Sequence, residues 1–166
     1  MNNLVIYPGT FDPITYGHID IIRRTKNIFK NIIVAVIDKP NFKTMFNLKE
    51  RKNLLKESTK NIKNILILSF NDLIVNFASS KKVFLLIRGI RDNSDLNYEM
   101  NFYRINKILN KKVETIFLFS SNKFSYVSSS IIKEISYYGG NVKKFVPKNV
   151  CKALSNKIKS LKKKNK

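Results

Sequence analysis

Thr10, Thr15 and the chain's single histidine, His18, stand in one short stretch, Tyr7-Pro8-Gly9-Thr10-Phe11-Asp12-Pro13-Ile14-Thr15-Tyr16-Gly17-His18. Hydroxyls and an imidazole at this spacing suit one kind of work, donating hydrogen bonds to phosphate oxygens. The apolar run Leu4 to Tyr7 leads into the stretch and a helical pattern from Gly17 leads out, which reads as a strand-to-helix turn. His18 then falls in the first helical turn, where unpaired backbone N–H groups and the positive end of the helix dipole favour an anion. Gly9 is expected to let the main chain approach such a ligand closely. A donor aimed at an oxygen that gains charge in a transition state is worth roughly 3 kcal/mol of barrier. The proton state of His18 stays open, because the dipole lowers its pKa while a bound phosphate raises it.

Two further clusters have the same character. Arg88-Gly89-Ile90-Arg91 closes an apolar run, and two guanidiniums three residues apart at a strand exit read as an anion clamp in preference to a surface ion pair. Ser128-Ser129-Ser130 opens a helical pattern and offers a cap with spare hydroxyls. A Walker-type phosphate loop, a Gly-x-Gly-x-x-Gly dinucleotide loop and a Gly-x-Ser-x-Gly nucleophile elbow are all absent from the sequence.

The elements that must position these groups alternate. A first helix from Gly17 to Phe29 has Ile19, Ile22 and Phe29 on its apolar face, widened by Ile21, Thr25 and Ile28. Ile32 to Ile37 is a β-branched run suited to a strand buried on both faces. Asn47, with Glu50 three residues on, caps a second helix through about Thr59. Ile65 to Phe70 is the third strand, and Asn71 or Asp72 is expected to cap a short helix through Ser79. Val83 to Arg88 is the fourth strand. A helix from about Ser94 to Asn110 turns Leu96, Met100, Tyr103 and Ile108 inward, and Glu114 to Phe119 is the fifth strand. Ser128 starts a helix that Gly139-Gly140 ends, and Pro147 opens a last helix to about Leu161. The expected fold is α/β, a Rossmann-like open five-stranded parallel sheet with helices on both faces and a C-terminal helix. Ligands bind such sheets beyond the carboxyl ends of the strands, where all three clusters fall.

At 166 residues, 43% of them hydrophobic, the chain fits one domain, residues 1–159, followed by a basic tail, 160–166, expected to be disordered. The net charge of +21 would by itself suggest nucleic acid. Its lysines are scattered and accompany a surplus of asparagine and isoleucine, as AT-rich codons produce, so no nucleic-acid partner is expected. No apolar stretch has the roughly 18 residues of a membrane span, no signal-peptide layout opens the chain, and a cytoplasmic location is expected. The lone Cys151 has no partner for a disulfide or a zinc site and reads as a packing residue.

The first stretch resembles the signature of the nucleotidyltransferase superfamily, whose T/H-x-G-H element is here Thr15-Tyr16-Gly17-His18. With Ile87-Arg88-Gly89-Ile90-Arg91, Tyr98-Glu99-Met100 and Val127-Ser128-Ser129-Ser130 in order, nearly the whole chain resembles the bacterial phosphopantetheine adenylyltransferases. The resemblance implies adenylyl transfer from ATP to 4'-phosphopantetheine with Mg2+ and assembly as a homohexamer. It implies that Thr10 positions the acceptor phosphate and that His18 stabilises the transition state. Arg88 and Ile74 would hold the acceptor, and Thr10, Phe11, His18, Gly89, Ile90, Arg91, Glu99, Phe124, Ser125, Tyr126, Val127, Ser128, Ser129 and Ser130 would form the ATP site. No metal-binding side chains are implied, the ion being held mainly through ATP. The family usually places a substrate-binding lysine after the second strand. Here Phe42 occupies that position with Lys43 beside it, and Lys43 is expected to substitute through a small loop shift. A relative using nicotinamide mononucleotide or glycerol phosphate as acceptor is the alternative.

Overall fold

The computed structural model describes residues 3–164. Five strands, β1 (Leu4–Gly9), β2 (Asn31–Ile37), β3 (Ile65–Phe70), β4 (Leu85–Ile90) and β5 (Glu114–Phe119), form one parallel sheet in the order β3-β2-β1-β4-β5. Between them run α1 (Tyr16–Ile28), α2 (Leu48–Thr59), α3 (Ile74–Lys81) and α4 (Asn93–Leu109), and α5 (Ser129–Tyr137) and α6 (Lys148–Lys164) follow.

The period-two alternation of the strands sorts the core into two layers. Val5, Tyr7, Ile32, Val34, Val36 and Ile87 face α1, α2, α5 and α6. Ile6, Ile33, Ala35 and Leu86 face the other way, onto Ile74, Val75, Phe77 and Ala78 of α3. The chain therefore winds outward from β1 in one direction through β2 and β3 and in the other through β4 and β5. The exits of β1 and β4 diverge at the centre of the sheet, which is where open parallel sheets make their ligand crevice.

Several expectations are corrected at the margins. β4 begins two residues later than the apolar run, at Leu85, and carries Arg88 inside the strand with Arg91 just beyond it. Leu73 is the N-cap residue of α3, while Asp72 accepts from the Leu73 N–H and the Asn76 amide. Ile28, at the end of α1, points outward, and so does Ile108, with 80% of its surface bare, because α4 buries Glu99 and Asn106 on the opposite face. Residues 160–164, read as a tail, continue α6, and residues 165–166 lie outside those described. No helix of the described residues is long and apolar enough to cross a membrane.

Candidate active site

A cleft of about 310 Å³ opens at the carboxyl ends of β1 and β4. Its walls come from the first loop (Gly9 to Asp12, Thr15, Gly17, His18), from Arg88, Gly89, Arg91 and Glu99, and from Val127 to Ser130 at the start of α5. The three clusters singled out in the sequence thus meet around one cavity.

The first loop is built from its own side chains. Thr15 caps α1 and accepts from the His18 N–H, while His18 Nδ1 accepts from the Thr15 N–H at 3.0 Å. This is a capping box with histidine in the place usually taken by Glu or Gln. It also fixes the chemistry of the ring, since an Nδ1 that accepts an amide proton cannot carry one. The proton of the neutral imidazole is therefore on Nε2, leaving that nitrogen as the donor in the cleft. Phe11 packs edge-on against both His18 and Tyr7, with ring centroids 5.1 Å and 5.5 Å away. Phe11 holds a left-handed backbone (φ 52°), which costs a non-glycine residue strain of the kind found at functional loops. Gly9 makes room for this ring, since a Cβ there would stand 3.0 Å from the Phe11 side chain, and it also lines the cleft.

The arginines reach the cleft as partners of carboxylates. Arg88 forks onto Glu99 through two N–H groups and donates to the Pro8 carbonyl at 2.9 Å, with Phe102 beneath its guanidinium. Burial disfavours the Arg88 charge, but the hydrogen bonds and charge of Glu99 outweigh it and leave the pKa raised. Arg91 forks likewise onto Asp95 at 2.6 and 2.8 Å. Both arginines thus stand in ion pairs, the reading set second in the sequence, and one of the two carboxylates, Asp95, sequence reasoning overlooked.

It also missed Asp12 and Lys133. Asp12 is 3% exposed and accepts from Met45 N (2.9 Å), Phe46 N (2.8 Å) and Lys133 Nζ (2.9 Å), tying the first loop to the segment before α2 and to α5. Lys133 lines the cleft one helical turn beyond Ser129 and Ser130, a position legible from i, i+3 and i, i+4 spacing. Ser128 caps α5 through the Ile131 N–H, and Ser129 donates to the Pro13 carbonyl. Other expected residues stand elsewhere. Ile74 is packed in the core layer under α3, Ile90 is fully buried, and Lys43, Phe124, Ser125 and Tyr126 are not among the residues that line the cleft, whereas Phe42 is.

The cytidylyltransferase-like family model matches residues 6–135. A phosphopantetheine adenylyltransferase from Buchnera aphidicola subsp. Schizaphis graminum is 46% identical over 162 residues, 97% of this chain and 98% of its own. The chain belongs to the phosphopantetheine adenylyltransferase family. Its relative from Caldanaerobacter subterraneus subsp. tengcongensis, of the same name, is 47% identical over 94% of this chain and 98% of its own. Likeness in fold extends further. A putative nicotinate-nucleotide adenylyltransferase from Vibrio parahaemolyticus superposes with a TM-score of 0.66 at 14% identity, over 93% of this chain and 99% of that one. A bifunctional NMN adenylyltransferase/ADP ribose pyrophosphatase from Francisella tularensis gives 0.67 at 17%, over 94% of this chain and 49% of that one.

In this family member the cleft's own electrostatics keep His18 neutral. Burial, and then the charges of Arg91 and Arg88, pull its pKa from 6.5 down to about 4. Below pH 6.5 the unfolded chain takes up a proton at His18 that the folded chain refuses until about pH 4. More protons are then bound by the unfolded state, so stability is lost as pH falls through this window, by on the order of 3 kcal/mol from this group. Urea unfolding at pH 7 and pH 4.5 should therefore show a larger loss for the wild type than for His18→Gln. An equal loss in the two would mean that the imidazole is not held neutral.

Proposed function

We propose that this enzyme transfers the adenylyl group of ATP to 4'-phosphopantetheine, giving dephospho-coenzyme A and pyrophosphate. The observation that carries the reading is the His18 ring, fixed by Thr15 as an Nε2 donor in a cleft that also holds Arg88 and Arg91. An oxygen of the acceptor's phosphate attacks the α-phosphorus of ATP. The new P–O bond forms as the bond to the departing pyrophosphate breaks in line. A phosphomonoester has a second pKa of about 6, so the attacking oxygen is already largely ionised at neutral pH. No general base, proton transfer or covalent intermediate is needed. Catalysis then consists of aligning two anions and neutralising the charge they share.

Thr10 and Arg88 hold the acceptor phosphate, and His18, Arg91, Glu99 and Val127 to Ser130 face the nucleotide. Phe42, 55% exposed at the rim, gives the acceptor an apolar surface. Among the described residues, no group of three or more His, Cys, Asp or Glu is placed to hold a metal ion, and the cleft carboxylates Asp12, Asp95 and Glu99 are each taken by a cation. Mg2+ would come with the ATP phosphates and share their charge. Tyr98, Ile105, Ile108 and Leu109 of α4 and Phe119 of β5 are exposed, an apolar surface that assembly as a homohexamer would cover, which supports that reading.

The test is pyrophosphate release from ATP and magnesium with 4'-phosphopantetheine, nicotinamide mononucleotide or glycerol phosphate offered in turn. Release with phosphopantetheine alone is expected. Turnover with another acceptor would reassign the substrate, and no turnover with any would end the enzymatic reading.

A further inference from the structure

Beneath the first loop lies a charge to which the reaction above gives no part. Arg51, 1% exposed, occupies the inward stripe of α2 between Leu48 and Leu55. Its guanidinium donates to four main-chain carbonyls: Phe46 (3.2 Å), Thr10 (2.9 Å), Ile37 (2.7 Å) and Asp38 (2.9 Å). Burial lowers its pKa, and the charges of Asp12 and Asp38 oppose that. Four carbonyls that converge on one buried point need donors in a fixed plane, which guanidinium supplies and the three donors of an ammonium do not. A buried charge of this kind is a costly way to stabilise a core, and an apolar side chain of similar volume often serves as well.

The bonds indicate what the charge achieves. Thr10 follows β1, Ile37 ends β2 with Asp38 next to it, and Phe46 precedes α2. Asp12 grips Phe46 through its N–H, and Arg51 grips it through its carbonyl. Together they lock the first loop to the neighbouring strand exit. We propose that Arg51 is a positioning residue for adenylyl transfer, fixing the Thr10 main chain, and through it the Thr10 hydroxyl, against the exit of β2. The assignment rests on the reaction proposed above.

A double-mutant cycle with Arg51→Lys and Thr10→Ala tests it, read as kcat and as KM for ATP well below the melting temperature. Arg51→Lys should lower kcat roughly 10- to 100-fold, as small misplacements of reacting groups do, with KM for ATP within about threefold of wild type. The double variant should fall no more than about threefold below the slower single variant, because both act at one loop. Leu154→Ala, a core change in α6, should lose stability and keep its kcat. If Arg51→Lys does not fold, trimethylamine oxide is added to all proteins to restore it. A kcat within about threefold of wild type, or losses that multiply independently in the double variant, overturns the proposal. An inactive wild type overturns the reaction on which it rests, and the assignment with it.

Discussion

Replacing His18 with alanine should lower kcat by about 100- to 1000-fold, the loss typical of one donor to a developing oxyanion. It should also cost about 1 kcal/mol of stability, since the ring is half of the α1 capping box and the Thr15 N–H would lose its acceptor. One substitution separates the two effects. Glutamate at this position of a capping box accepts from the cap residue's N–H as histidine does here, but has no N–H to present to the cleft. His18→Glu should therefore unfold at nearly the wild-type urea concentration at pH 7 and still lose most of its turnover. Recovery of kcat to within about threefold of wild type would show that His18 acts through the loop's structure and not as a phosphate donor. Substrate affinity should move less than turnover in His18→Ala, because the donor strengthens its bond as charge develops.

The local signals in the sequence reached most of this arrangement, and the reason is that they are local. Apolar runs gave the limits of β3 and β5, the Asn47–Glu50 pair gave the start of α2, and the Ser128 cap placed α5. What escaped depends on pairing across the fold. Asp12 bonds residues 33, 34 and 121 positions away, and no spacing rule reports that. Gly9 was legible as a special position, but the Phe11 ring folded back over it was not. Arg51 did leave a trace, a charged residue three after Leu48 and four before Leu55, in the stripe that helical periodicity assigns to the core. Arg88 and Arg91 were legible as two cations at one exit, whereas their carboxylate partners follow from how α4 packs back on β4. Ile108 was misread for the same cause, because α4 turns Glu99 inward where periodicity favoured apolar side chains.

That inward Glu99 makes Arg88 the most consequential ion-pair partner to remove. The side chains are unequal: both line the cleft, but Arg88 is 22% exposed and Glu99 only 8%. Arg88→Met strands a carboxylate with little access to water, and should destabilise the protein by about 3 to 5 kcal/mol. Glu99→Gln leaves a cation that the cleft can solvate and that still donates to the Pro8 carbonyl, so it should cost less. Replacing both by apolar side chains, Arg88→Met with Glu99→Leu, should restore most of the lost stability, as such pairs often tolerate. Activity should follow a different order. Arg88→Met and the double variant both lose the guanidinium assigned to the acceptor phosphate, so both should show a raised KM for phosphopantetheine however well they fold. Glu99→Gln keeps the charge and loses only its fixed orientation, and should retain more activity than either. Urea unfolding of the four proteins with acceptor titrations at saturating ATP decides it. A double variant that regains acceptor affinity along with stability would show that Arg88 supports the fold and not the substrate.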